Sequence, residues 1–195
     1  MDNGKSLDIL GVKPIADSIN VVVKGGVDGA SSFLSRICLP AAEEFGLLLR
    51  DKVSAWRAQN AVNIASKAKT LLDGKLKQVI SAHPRIAYSI IENGSWAEDD
   101  FMQNFWAGLL ASSCTKDGRD ESNLIFINLL SLLTKHQAKL IMHICENASI
   151  YKSQAGFIYA DQLSIEAEKL FNITDISDFH QLDRELDHLR SVELI

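Results

Sequence analysis

Residues 92–113 read ENGSWAEDDFMQNFWAGLLASS, and this stretch decides the fold class. Ser95 followed by Glu98 has the spacing of a capping box, in which a hydroxyl accepts from a free backbone N–H and a carboxylate reaches back to the cap. Glu98, Asp99 and Asp100 stand in the first turn, where the helix dipole favours negative charge. Phe101, Phe105 and Leu109 then recur at i, i+4 and i+8, with Met102, Trp106 and Leu110 beside them. The reading is one amphipathic helix over Glu92–Ser113 with its aromatics in the core. That face carries no nucleophile, base or metal ligand, so it argues for packing rather than chemistry.

Toward the N-terminus, Asn93–Gly94 stops a short helix over Arg85–Glu92 with Ile86, Ile90 and Ile91 inward. Lys75–His83 continues helical until Pro84, which disfavours helix at the residue before it. Ala41–Asp73 is opened by Pro40, interrupted by no breaker except Gly46, and stopped by Gly74. Its stripe runs through Phe45, Leu49, Val53, Trp56, Ile64, Ala68 and Leu71, so Trp56 is expected in the core. At ~1.5 Å per residue this helix is roughly 50 Å long. Asn60 falls in the stripe where an apolar residue is expected. The simpler reading is partial exposure; the alternative is a polar register device at a helix–helix seam. Two shorter helices precede it. Pro14 opens the first, which shows Ile15, Ile19, Val22 and Val23 on one face and ends at Gly25–Gly26; the second covers Val27–Cys38. Gly25 and Gly29 have GxxxG spacing, read as close packing or a turn because Lys24 and Asp28 interrupt it.

Toward the C-terminus, Thr115–Glu121 is a polar loop with Asp117–Gly118 at its turn. Asn123–Leu133 is apolar nearly all round and is expected to be buried on most sides. Thr134 and Gln137 form a second capping box and start Lys135–Ser149, with Leu140, Ile141, Ile144, Cys145 and Ala148 inward. Phe157–Tyr159 is a short strand. Leu163–Phe171 is a short helix ended by Asn172. Ser177 or Asp178 starts the last helix, where Phe179, Leu182, Leu186 and Leu189 line one side.

The predicted fold is all-α: a long-helix helical bundle with a small helix-turn-helix-like C-terminal subdomain. Residues 1–39 form a helical appendage, 40–133 the core, and 134–195 the C-terminal subdomain, winged-helix-like without a clear wing. The 195 residues are 47% hydrophobic and 23% charged, which suits a globular chain. Cys38, Cys114 and Cys145 are odd in number and scattered, with no CxxC, so a reduced cytoplasm fits them best. The N-terminus MDNGKSLDIL lacks a basic segment followed by an apolar core, and no run approaches the ~20 apolar residues of a membrane span. The expected location is cytoplasmic, with a membrane-peripheral variant.

Chemistry-bearing patterns are sparse. No GxSxG, HExxH or Walker sequence occurs, so no catalytic residue, cofactor or metal site is assigned and the chain reads as a non-enzyme. His180 and His188 lie two turns apart with Arg184 between them, a poor metal pair. The last helix has helix-turn-helix placement, but Asp178, Asp183, Glu185 and Asp187 would repel phosphate. The net charge is −5, unevenly spread. Arg50, Lys52, Arg57, Lys67, Lys69, Lys75, Lys77 and Arg85 stand against only Asp51 and Asp73, whereas residues 150–195 hold four basic and nine acidic residues. The basic stretch reads either as a solvated helix face or as a phosphate-facing surface for nucleic acid or anionic lipid.

One resemblance rests on the acidic residues followed by Trp106-Ala107-Gly108-Leu109-Leu110-Ala111, the Leu-Thr-x-x-Gln-Ala segment at 133–138 (with Gln137 and Ala138), and the tail LDHLRSVELI. In this order they resemble the Abi-alpha family of bacterial proteins, over roughly Pro40 to Ile195. Gly108 and Glu193 stand where the family pattern has a small polar residue and a glycine. The resemblance implies an association with abortive infection, a form of anti-phage defence, and brings no catalytic residues. The expected function is a non-enzymatic defence protein acting through protein contacts, as a homo-oligomer or with another protein. The rivals are a peripheral membrane effector using residues 7–58 and a nucleic-acid-binding module using residues 50–85.

Overall fold

The computed structural model describes residue 26 and residues 28–40, 54–73 and 80–195. The helix expected over residues 15–23, the start of the long helix, Gly25, and Arg50, Lys52, Lys75 and Lys77 lie outside them. The fold is all-α. The described helices are α1 (28–37), α2 (Ser54–Leu72), α3 (Pro84–Gly94), α4 (Asp100–Ser112), α5 (Leu124–Leu132), α6 (Lys135–Asn147), α7 (Ala167–Thr174) and α8 (Phe179–Ser191). One antiparallel ribbon, β1 (Ile150–Lys152) with β2 (Ile158–Ala160), is the only sheet among the described residues. The chain divides into two compact units, residues 1–127 and 128–195.

In the first unit, α2 packs chiefly on α4 and also on α3. Ala58, Ala61, Ala65 and Ala68 of α2 are buried with Val62, Ile64 and Leu72. Small side chains on that stripe let the helix axes approach closely. Two members of the expected stripe lie outside it: Trp56 is 40% exposed and Leu71 is exposed, the buried residue at that end being Leu72. On α1, Ala30, Phe33, Leu34 and Ile37 are buried. Ile37 accepts a backbone bond from Ala82, and Ser81 exchanges two with Thr115, so residues 80–83 are held extended rather than helical. Gly118 lies beside this bridge at φ +62°, where an added Cβ would meet Ser81 Oγ at 2.2 Å.

The Glu92–Ser113 stretch is two helices. Pro84 opens α3 at its first turn, and the turn after Gly94 is closed by bonds from Ser95, Trp96 and Ala97 to Ile91, Asn93 and Gly94. The cap of α4 is Asp99, whose carboxylate accepts from Phe101 N and Met102 N. Asp can cap as well as Ser, and Ser95 is committed elsewhere. The deeply buried face of α4 is Met102, Gln103, Trp106, Ala107 and Leu110. Phe101 and Phe105 stack edge-on at its border, half-buried. Trp106, 3% exposed, closes against Gly94 and thereby joins α4 to α3. On α5 only Ile127 and Leu130 are buried, and Ile125, Phe126 and Leu132 are exposed. The described elements therefore cover one face of a helix expected to be buried on most sides.

In the second unit α6 packs on α7 and α8. Thr134 and Gln137 form the capping box that the sequence predicts. Cys145, expected inward, is exposed. Helix α7 starts later than expected, at Ala167, and runs past Asn172 to Asp175 in the left-handed region at φ 56°. Asp178 caps α8, which buries Leu182 and Leu189. Phe179 is exposed, with its ring edge-on to Phe171.

Candidate interaction surfaces

A polar seam runs through the first unit from α2 to the α3–α4 turn. Arg57 leaves α2 with Nη2 2.9 Å from Glu92 Oε1, and Nε donates to Ser95 Oγ at 3.0 Å. Ser95 Oγ in turn donates to Glu92 O. The guanidinium lies 4.2 Å above the Trp96 ring, a cation–π contact. Asn60, one turn below, is buried; it donates to Ser95 O at 3.0 Å and accepts from Gln103 Nε2 at 3.3 Å. Partial exposure of Asn60 is thus overturned. A buried amide needs partners, and the α3–α4 turn and α4 supply them, so Asn60 fixes the register of α2 on both.

Beside this seam two aromatic side chains are open to solvent. Trp56 and Trp96 are 40% and 54% exposed, with ring centroids 6.2 Å apart. The sequence places Trp56 on the core stripe and gives Trp96 no role. Their pairing depends on the turn at Ser95 folding back over α2, which no periodicity announces.

In the second unit the Leu-Thr-x-x-Gln-Ala segment has a physical account. Gln137, 2% exposed, accepts from Thr134 N and faces His188 Nδ1 at 3.0 Å through Oε1, while Nε2 donates to Glu185 O. Thr134 Oγ1 donates to Glu185 Oε2. One glutamine therefore caps α6 and ties it to α8. Ala138 is buried beside it. Of the other motif residues, Trp106 and Leu110 are buried, whereas Gly108, Leu109 and Ala111 are half-buried on α4.

The family profile described as abortive infection alpha matches residues 59–195, which include both motifs. The chain belongs to this family. No curated protein and no solved structure matches it. Residues 1–58, and with them Trp56 and Arg57, lie outside the matched segment.

The abortive infection alpha match leaves the basic stretch to be placed. Arg57 pairs with Glu92, Lys67 with Asp100, and Arg85 with Glu121 at 3.5 Å. The stretch is short of carboxylates in sequence, but the fold brings them from α3, α4 and the loop before α5. Lys69 is exposed beside Asp73 at the rim of a groove of about 410 Å³ between α1 and α2, walled by Gly29, Ala65 and Ser66.

Elsewhere, Lys139 pairs with Asp175, and the hydrogen bond to that ammonium holds the Asp175 carboxyl below its ordinary range. Among the described residues no group of three His, Cys, Asp or Glu is placed to hold a metal. His180 is exposed, and His188 is used by Gln137. Cys38 is buried, and burial pushes the Cys114 thiol up to about 11, with Cys38 adding to the shift.

Proposed function

We propose that this chain is a non-enzymatic component of bacterial anti-phage defence that acts through protein–protein contacts. Membership of the abortive infection alpha family supplies the biological setting. The observation that carries the reading is the Trp56–Arg57–Trp96 cluster. Two tryptophans are open to solvent, and the guanidinium over one of them is held by Glu92 and Ser95. Trp and Arg dominate binding hot spots, and a side chain ordered beforehand loses less freedom on binding. A cluster of this kind is costly to leave open and suits a protein partner.

The rival surfaces have less support. A phosphate ligand at residues 50–85 would compete with Glu92, Asp100 and Glu121 for Arg57, Lys67 and Arg85. The membrane-peripheral rival draws on residues 7–58, most of which lie outside the described residues; among those described, no helix is long and apolar enough to cross a membrane. Affinity capture from phage-infected cells tests the proposal. The wild-type chain should retain a partner that Trp96→Ala loses while its circular dichroism stays unchanged. Capture of the same partner at the same yield by Trp96→Ala would overturn the reading.

A further inference from the structure

The β1–β2 ribbon is exposed along its whole length. Tyr151 pairs with Tyr159, Ile150 with Ala160, and Lys152 with Ile158. Every one of these residues is exposed, Ile158 at 73%, as is the adjoining Phe157. A lone two-stranded ribbon is marginal in water, and three or more strands are needed for independent stability. The ribbon therefore exposes more apolar surface than its own two strands can cover.

The backbone says what would complete it. Ser153 N donates to Phe157 O and Asp161 N to Ser149 O, so the hydrogen-bonded pairs are 149 with 161, 151 with 159, and 153 with 157. By the alternation of an antiparallel ladder, Ile150 and Lys152 turn their N–H and C=O groups out along one edge, and Ile158 and Ala160 along the other. Such an edge is a ready template for another extended backbone. The β1 edge carries Lys152, a charge of the kind that blunts edge pairing. The β2 edge has no such device: residues 153–160, SQAGFIYA, contain no charge and no proline.

We propose that the β2 edge pairs antiparallel with the β2 edge of a second copy of this chain, about a two-fold axis at Tyr159. The self-pairing follows from register. With Tyr159 opposite Tyr159 of the copy, Ile158 faces Ala160 and Ala160 faces Ile158, which makes about four new backbone bonds. Within one chain Tyr151 and Tyr159 already stack at 5.4 Å. The axis extends that pair into a row of four tyrosines across one face of a four-stranded sheet, and cross-strand aromatic pairs of this kind stabilise sheets. A partner of other sequence would have to supply that row itself. The paired segment is short, so the contact belongs to the small, transient class. Residues 150–195 carry four basic and nine acidic residues, so two copies repel and added salt tightens the pair. A basic partner would respond in the opposite sense.

This contact gives the reading above a partner, a second copy, through a surface separate from the tryptophan cluster. Sedimentation of the full chain at up to about 100 µM tests it, in the range of a weak interface. Wild type should dimerise with concentration, and more so as salt rises. Ala160→Pro removes an outward N–H without touching a bond inside the ribbon, and Ile158→Lys puts a charge on the edge; each should restore the monomer. Lys152→Ala on the other edge should leave the β2-mediated dimer in place. In a Cys145→Ser background, Tyr159→Cys should form an intermolecular disulfide under mild oxidation, and Tyr151→Cys should not. A strict monomer, a dimer indifferent to Ala160→Pro and Ile158→Lys, or no crosslink at 159 would each overturn the pairing. Loss of a partner by Trp96→Ala is read independently of all three.

Discussion

Gly94 and Gly108 offer a paired test of the core of the first unit, because the same substitution should have opposite effects at the two sites. Replacing a helical glycine by alanine gains about 0.5–1 kcal/mol from reduced backbone freedom. At Gly108 an added Cβ meets nothing within 4 Å, so that gain should appear in full. At Gly94 the added Cβ would lie 2.9 Å from Ile64 Cδ1 and 3.0 Å from Trp106 Cγ. Both neighbours are buried, at 0% and 3% exposure, so neither can swing into solvent. Overpacking of this kind costs about 1–3 kcal/mol, which leaves a net loss of up to about 2.5 kcal/mol after the helix gain. For a chain of this size, 1 kcal/mol moves Tm by about 2–4 °C. All three tryptophans lie in the first unit, so tryptophan fluorescence during thermal unfolding reports on that unit alone. Gly94→Ala should melt earlier than wild type and Gly108→Ala later. If Gly94→Ala were stabilised as much as Gly108→Ala, the close approach of α2, α3 and α4 at this point would be refuted.

Other outcomes follow from the same geometry. Trp106→Ala should cost about 3–5 kcal/mol as a large-to-small core change, and an unchanged Tm would mean that the ring is not buried. Glu193 sits at φ 59°, in the left-handed region; Glu193→Gly should stabilise the second unit by about 0.5–1 kcal/mol, read by urea unfolding followed by far-UV circular dichroism. Iodoacetamide at pH 8 should label exposed Cys145 well before buried Cys38 and half-buried Cys114, and equal rates in the folded protein would contradict this order of exposure. The raised thiol value of Cys114 means that the folded state holds this proton longer than the unfolded state does. Its effect is absent at neutral pH, and stability should fall as pH climbs from the ordinary thiol value toward about 11; a Cys114→Ala variant should lose that part of the alkaline decline.

The helical class was legible in the spacing of apolar residues and in caps, because both depend on neighbours within a turn. The Thr134–Gln137 box and the short Ile86–Ile91 helix came through for this reason. Position 95 misled because serine, aspartate and glutamate at 95–100 offer several competing caps, and the choice of Asp99 is made by Arg57 and Asn60 engaging the turn at Ser95. Asn60 misled for the complementary reason: its partners lie 35 and 43 residues away. The neutralisation of Arg57 and Lys67 is likewise a contact between distant segments. The short strand expected over residues 157–159 is found one residue later, at 158–160. Its partner strand at residues 150–152, and the exposure of both, were not visible, since exposure is decided by what fails to pack on them.

We propose that this chain works through exposed contact surfaces rather than through chemistry. Plaque formation on cells expressing the wild-type chain or the Trp56→Ala/Trp96→Ala double variant tests it most directly, with both proteins first shown to be equally abundant and folded. Wild-type cells should resist phage, and the double variant should give plaque numbers close to those of cells lacking the protein. Full resistance in cells carrying the double variant would contradict it.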